Sequence, residues 1–215
     1  GDVLGHEEYI ERVLPLTTGE LYNQAEVTYT EEFISKYLGR FGYAYPTVTT
    51  VPEINDEDKT VKLTLSVDPG KRIYVNRIKF NGNVVTADSV LRQNVSQMEG
   101  TWLSNNLLES SKNQLSRLTY MEEVEFETVR IPGSEDKVDV NYNVKEQPSG
   151  SFNAGIGYGD RTKLSLQAGI QQDNFLGTGK RVGLNLSTVS YQRSAQITYN
   201  DPYFTIDGIS LGGSL

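Results

Sequence analysis

The chain has 215 residues, of which 37% are hydrophobic, and it contains no cysteine. No stretch reaches the roughly 18 uninterrupted apolar residues of a spanning helix, which excludes a helical membrane protein, and the missing thiol excludes cysteine catalysis, disulfides and Cys-ligated zinc. The acidity is confined to the first part: 15 basic against 24 acidic residues up to Gln147 give net -9, whereas 5 against 4 from Pro148 onward give net +1, so a nucleic-acid partner is not expected and a basic protein partner is.

In chain order, Gly1 to Gly5 lack the basic and apolar regions of a signal peptide. His6 reads as a solvated residue at a helix start rather than a metal ligand, and no metal or cofactor is expected. Periodicity predicts helices over Glu7 to Leu14 and Ala25 to Leu38, then strands over Tyr43 to Val51 and Val61 to Val67. Asp56-Glu57-Asp58 lacks the glycine and terminal glutamate of a calcium loop, so it is a charged hairpin turn.

The same unit then repeats. Leu16 to Asn23 lies over Gln97 to Ser104, with Gly19 on Gly100, and Leu38 lies on Leu118. The turn after Asp56 followed by Val61, Leu63, Leu65 and Val67 matches Ser134 to Lys137 followed by Val138, Val140, Tyr142 and Val144. The second copy adds a strand, Ile73 to Phe80, before its helices. Thr86 or Asp88 can cap a helix carrying Val90, Leu91 and Val95, and Ser104 can cap one carrying Leu107, Leu108, Ser111, Leu115 and Leu118. Val124, Phe126 and Thr128 next alternate with Glu123, Glu125 and Glu127, and Val138 to Val144 returns after Pro132-Gly133. The order is β-α-α-β-β, an α+β module with helices on one face of a small sheet. In the first copy Gly1-Asp2 occupies the place of Gly82-Asn83, so its opening strand is absent and the chain is expected to be cut from a longer protein. The glutamates at 122, 123, 125 and 127 could serve as general acid and base, but a strand leaves three of them on one open face, so no enzyme is expected.

From Ser151 the pattern changes to pure period two. Phe152, Ala154, Ile156 and Tyr158 alternate with Asn153 and three glycines. Leu164, Leu166, Ala168 and Ile170 follow, then Val182, Leu184 and Leu186, then Ala195, Ile197 and Tyr199, and a fifth segment begins near Ile209 and Leu211. A soluble sandwich shares this alternation. Its solvent face usually carries Lys and Glu, whereas here that face carries Ser, Asn, Gln and Gly and the charges collect at turns, which favours antiparallel strands of a transmembrane β-barrel, incomplete within this chain. Gly155-x-Gly157-x-Gly159 and Gly177-Thr178-Gly179-Lys180 fail as nucleotide loops because no helix follows either.

With these residues in view, the chain resembles the BamA-type outer-membrane assembly factors, whose periplasmic POTRA modules have the order β-α-α-β-β. The strings that carry the resemblance are Leu38 to Pro46, Pro52 to Asp56, Gln97 to Gly100, Gly150 to Phe152, Gly155 to Gly159, Gln171 to Gly179 and Asp201 to Phe204. It implies a POTRA module over 1–69 without its first strand, a complete one over 70–147, and the first barrel strands over 148–215. It further implies a protein of the bacterial outer membrane with residues 1–147 in the periplasm, which inserts unfolded outer-membrane proteins into the bilayer beside lipoprotein partners and outer-membrane lipid. By the same resemblance the first barrel strand, with Phe152, Gly155, Gly157 and Gly159, is a lateral gate. Glycines weaken cross-strand packing, and they equally leave room for crowded neighbours; both readings stand. The strand Val124, Glu125, Phe126, Glu127 and Thr128 is the expected edge for an extended substrate segment, and Arg92 and Asn94 are the expected partner-facing residues, without the carboxylate expected on this helix in relatives. The alternatives are a secretion transporter of the same fold and a soluble periplasmic binding protein. With the modules periplasmic, Asp160 to Thr162 and Ser190 to Arg193 are expected outside, and Asn174 to Gly179 and Asp201 to Thr205 on the module side.

Overall fold

Helix starts, buried stripes and strand alternation account for most of the architecture, seen in a computed structural model that describes residues 5, 7–14, 16, 18–160, 163–205 and 207–215. Gly1, Asp2, His6, Arg161 and Thr162, singled out above, lie outside the described residues. Two compact units divide the chain: Gly1–Ile78, Gln97–Ser110 and Thr128–Val140 form one, and Lys79–Ser96, Ser111–Glu127 and Asn141–Leu215 form the other.

The first unit opens with α1 (Glu7–Val13), α2 (Gln24–Gly39), β1 (Thr47–Asn55) and β2 (Thr60–Asp68). Asn23 stands outside helical geometry and its side-chain oxygen accepts from the Ala25 amide at 3.0 Å, which satisfies one of the orphan donors at the helix start. On α2, Val27, Thr30, Ile34, Tyr37 and Leu38 are buried at spacings of three and four. The Thr30 hydroxyl is satisfied by donating to the Glu26 carbonyl at 2.8 Å. Ile10, Ile34, Tyr37, Leu38 and Val67 make the core of this module, with Phe33, Phe41 and Leu65 packed against it. The hairpin β1-β2 runs in register from Thr47 opposite Asp68 to Asn55 opposite Thr60.

β1 starts four residues later than alternation alone suggests. Gly42 has φ +95° and its carbonyl accepts from the Ile73 amide at 2.8 Å, while Pro46 offers no N–H for a ladder. The segment between them is a loop whose two tyrosines meet cations: the Arg72 guanidinium lies 5.2 Å from the Tyr43 ring centre and also 5.1 Å from that of Trp102, which precedes the last helix of the second copy, and Arg130 lies 4.2 Å from that of Tyr45.

The second copy comprises β3 (Tyr74–Asn81), α3 (Asp88–Arg92), α4 (Asn105–Ser116), β4 (Met121–Arg130) and β5 (Lys137–Glu146), in the expected β-α-α-β-β order. Its sheet has the order β3-β5-β4. Val138, Val140, Tyr142 and Val144 are all buried on the central strand, as alternation requires. The buried stripe of α4 is Leu108, Ser111 and Leu115, each 81 positions after Val27, Thr30 and Ile34. That offset also carries Gly19 onto Gly100, which have φ +94° and +79°. The aligned pair Leu38 and Leu118 belongs to a slightly different register, and Leu118 is only half-buried.

α3 corrects two expectations. The residue flanking its start is Ala87, with no side-chain cap, and the helix ends at Arg92, short of Val95. Thr86 does not cap because its amide donates to Glu146 and its hydroxyl accepts from Asn174.

The remaining strands belong to the second unit: β6 (Gly150–Gly159), β7 (Lys163–Gln172), β8 (Arg181–Val189), β9 (Gln192–Asp201) and β10 (Leu211–Ser214), in the order β10-β9-β8-β7-β6. Directly opposite residues of an antiparallel pair share a face. Phe152 opposes Ile170, Ile156 opposes Leu166 and Tyr158 opposes Leu164. Ile170 in turn opposes Leu184, Leu184 opposes Ile197, and Val182 opposes Tyr199. One face is therefore continuously apolar across β6 to β9, and its large side chains are mostly exposed. The opposite face presents Asn153, Gln167, Asn185, Gln196 and Thr198 with the glycines.

Candidate functional site

The free edge strand β6 ends the five-stranded sheet, and it is tied to its neighbour through all ten pairs from Gly150–Gln172 to Gly159–Lys163. On its polar face a Cβ at Gly155 would come within 2.7 Å of the Gln167 side-chain amide, and one at Gly157 within 2.7 Å of the Ser165 hydroxyl. These glycines leave space for polar neighbours on β7. Phe152, Ile156 and Tyr158 stand out from the opposite face, each about three-quarters exposed.

The expected peptide edge, Val124 to Thr128, lies on β4, an outer strand of the three-stranded sheet, so one row of its backbone groups is left unpaired by the ladder. Val124 is buried and Phe126 half-buried, while Glu125, Glu127 and Thr128 are exposed. The buried Met121 is followed by two exposed glutamates, so strict alternation begins only at Val124.

The two helix residues separate. Arg92 is exposed, pairs with Asp88 at 3.3 Å and lies 5.6 Å from the Phe80 ring centre. Asn94, expected to face a partner, is instead only 8% exposed. Its amide nitrogen donates to the Val90 carbonyl at 2.8 Å and its oxygen accepts from the Tyr203 hydroxyl at 3.1 Å. The turn after β9 occupies it, so it has no free face to offer.

Tyr203 is one part of a larger arrangement in the second unit that motif reading did not single out as a site. The turn between β7 and β8 is long, with Asn174 and Leu176 in left-handed geometry (φ 54° and 52°) and Gly177 and Gly179 also at positive φ. It is fastened to the second module from both faces. The Asp173 carboxylate accepts from the Thr119 hydroxyl at 2.8 Å, from Arg181 Nε at 2.6 Å and from the Gln171 amide at 3.2 Å. The Ser149 hydroxyl donates to the Asp173 carbonyl at 2.6 Å. Asn174 donates to the Thr86 hydroxyl at 2.8 Å and accepts from the Gly179 amide at 2.8 Å, and the Ala87 amide donates to the Gly177 carbonyl at 2.9 Å. A Cβ on Gly177 would strike the Val85 carbonyl.

Glu146, at the end of β5, completes the joint. Its carboxylate accepts from three consecutive amides, Val84 and Val85 at 2.9 Å and Thr86 at 2.7 Å. Gln147 donates from its side chain to the Thr119 and Met121 carbonyls at 3.0 and 3.1 Å. Burial pushes the Glu146 carboxyl up, but the Thr86 hydroxyl and the three amides outweigh it and hold it below the usual range. The same contest at Asp173, burial against Thr119, Arg181 and Gln171, also ends below the usual range. Burial pushes the nearby Tyr120 phenol up to about 12, so it stays protonated.

The arrangement is a hydrogen-bonded joint within the second unit, between the end of the five-stranded sheet and those residues of the second copy that share the unit. It also sets topology. The turns at 174–179 and 201–205 contact the module end, and antiparallel order places Gly159, Lys163, Val189 and Gln192 at the other end.

Known proteins share this organisation. The POTRA family, described as surface antigen variable number repeat, matches residues 1–70 and 73–147, and the Omp85 superfamily domain matches residues 174–215. An outer membrane protein assembly factor BamA from Neisseria meningitidis is 37% identical over 94% of this chain and 26% of its own length. The crystal structure of BamA from Haemophilus ducreyi lacking POTRA domains 1-3 superposes with a TM-score of 0.85 at 42% identity, covering 100% of this chain and 40% of that one. The POTRA3-5 structure of Haemophilus influenzae BamA gives a TM-score of 0.60 at 40% identity, over 68% of this chain and 58% of that one. The chain thus spans about a quarter of the length of the meningococcal relative.

Proposed function

The chain belongs to the POTRA family, and on that premise we propose that it is the membrane-proximal part of an outer-membrane protein assembly factor, with residues 1–147 in the periplasm and the strands from 148 onward in the bilayer. The observation that carries this reading is the passage from β5 into β6. Only three residues separate Glu146 from Gly150, and beyond them the sheet has one continuous apolar face that water would not tolerate and acyl chains would. The names of the relatives, outer membrane protein assembly factors, agree with it.

In this reading no catalytic group is needed, because strand pairing and burial of apolar surface drive insertion. Unfolded outer-membrane proteins arrive from the periplasm. The β4 edge from Val124 to Thr128 holds an extended segment by strand addition, and exposed Arg92 on α3 faces a lipoprotein partner. β6, whose outer edge is free within this chain, acts as the gate strand with Phe152 facing lipid and Gly155, Gly157 and Gly159 on the polar face. The segments 1–69, 70–147 and 148–215 act as the two modules and the start of the barrel.

Depletion of the full-length protein tests the proposal. Folded porin in the outer membrane should fall while unfolded porin accumulates in the periplasm, and unchanged porin assembly would refute it. A conducting pore with one dedicated exported substrate would point to a secretion transporter, and recovery of the full-length protein without detergent to a soluble binding protein.

A further inference from the structure

Two short segments at the module end of the sheet present large aliphatic side chains to solvent while their backbones are held rigidly. Val84 and Val85 lie in the connection between β3 and α3, and Val84 is 91% exposed. All three amides from Val84 to Thr86 are spent on the Glu146 carboxylate, so this loop is fixed where it stands. In the turn between β7 and β8, Leu176 is 81% exposed and sits at φ 52°, ψ 30°, a left-handed geometry that a branched L-residue adopts only when its surroundings impose it. The two segments are joined directly. The Ala87 amide donates to the Gly177 carbonyl at 2.9 Å, and Gly177 lacks the Cβ that would collide with Val85.

The position of these side chains relative to the sheet identifies what covers them. Gln172 opposes Gly150 on one side and Val182 on the other, so it belongs to the row of Phe152, Ile170 and Leu184, the apolar face. Val85 and Thr86 line the same hollow as Gln172, Pro148 and Ser149. Val85 therefore borders the module end of the row that carries the apolar face, with Val84 beside it in the chain. Asp173, Gln171 and Arg181 occupy the other side, where Arg181 opposes Asn200 on the polar face. The Asp173–Arg181 pair lies on the polar side, while Lys180, paired with Asp201 at 3.1 Å, lies 5.9 Å from the ring centre of Tyr199, a residue of the apolar row.

We propose that Val84, Val85 and Leu176 form an interfacial anchor that dips into the periplasmic leaflet of the outer membrane, so that the second module is seated on phospholipid as well as on the barrel turn. The Glu146 clamp and the left-handed backbone at Leu176 hold the three side chains at the depth where short apolar anchors partition. The inference rests on the membrane-barrel reading above. A lipoprotein lying over the same residues is the rival occupant.

Val84→Cys, Leu176→Cys, Ile156→Cys and Asp58→Cys, each made in a full-length protein with every other cysteine replaced and labelled with an environment-sensitive fluorophore in phospholipid nanodiscs, test it. Nitroxide-bearing lipids should quench position 156 if the sheet faces lipid. They should quench positions 84 and 176 several-fold more than position 58, a water-exposed hairpin turn, with shallow nitroxides more effective than deep ones. Quenching at 156 with 84 and 176 at the level of 58 would overturn the anchor and leave the barrel standing. Absence of quenching at 156 would overturn both. Shielding of 84 and 176 only on addition of lipoproteins, without lipid quenching, would overturn the anchor in favour of the rival. Heat-modifiable gel mobility shows that each labelled protein is folded, and two anchor positions on separate segments guard against one variant failing.

Discussion

Substituting Asp173→Asn removes a charge from the joint while nearly preserving its shape. The carboxylate accepts from Thr119, Arg181 and Gln171 at 2.8, 2.6 and 3.2 Å, and an amide, with one oxygen, must turn its NH2 group toward at least one of these donors. A hydrogen bond from Thr119 to an ionised, largely buried acceptor is worth about 1.5–3 kcal/mol. The Arg181 pair adds less, roughly 0.5 kcal/mol, because the guanidinium side chain is 49% exposed and screened by water. Opening of the β7-β8 turn should therefore become easier by about 2–3 kcal/mol, which is roughly a 30- to 150-fold rise in its open population. Hydrogen exchange on the full-length protein in nanodiscs reads this at Ala87, whose amide is bound to Gly177, and at position 173, bound to Ser149. Amides in the middle of β7 serve as the reference and should not change. If the exchange at Ala87 and position 173 moves less than about threefold, the carboxylate does not hold the turn and the account of the joint is wrong.

The joint should also be acid-labile. Both Asp173 and Glu146 have their carboxyls held below the ordinary values, so their contribution is fully present above those ordinary values, about 3.9 and 4.3, and is lost as pH falls through the lower folded ones. Ala87 protection, corrected for intrinsic exchange, should be flat from neutral to about pH 5 and fall below about pH 4, and the Asp173→Asn, Glu146→Gln double variant should lose this acid step. Gly177→Ala combines a positive φ with a collision against the Val85 carbonyl and should destabilise the turn by about 2 kcal/mol or more in limited proteolysis of the folded protein. Gly155→Ala meets only the flexible Gln167 side chain, from Cγ to Nε2, and no backbone, and it should destabilise its strand pair far less in the same proteolysis assay. Arg72→Lys forfeits the flat guanidinium between Tyr43 and Trp102 and should lower the unfolding free energy of the first unit by about 1–2 kcal/mol in a urea titration followed by Trp102 fluorescence.

The repeated module was legible because a helix or strand writes its buried side in its own period. Val27, Thr30 and Ile34 against Leu108, Ser111 and Leu115 show one stripe twice, and Val138 to Val144 shows a central strand by alternation alone. Boundaries were less legible where a local residue competes. Tyr43 to Pro46 alternates like a strand, yet Gly42 at positive φ and Pro46 make it a loop. Thr86 has a capping residue's chemistry, but Glu146, sixty positions away, and Asn174 take up its donors and acceptors.

The same division holds for the surfaces. An apolar face and a polar face along each late strand follow from sequence, since period two is local. Which strands stand side by side, and therefore that Phe152, Ile170, Leu184 and Ile197 form one sheet-wide apolar surface, follows from pairing. Asn94 looked like an exposed helix residue because nothing in its neighbours announces Tyr203, 109 positions later. Nothing next to Asp173 or Glu146 in the chain announces Thr119, 54 positions away, or the amides of Val84 to Thr86. The one available hint was the run from Asn174 to Gly179, richer in left-handed-tolerant residues than a simple strand connection needs. Period, composition and turn chemistry are properties of neighbours in the chain, and from them the sequence by itself determined the repeated unit, the strands and the apolar face of each late strand. The hydrogen bonds that fasten the β7-β8 and β9-β10 turns to the second copy and to Ser149 join residues 24 to 109 positions apart, and only the tertiary structure, by bringing those partners within reach, decided them.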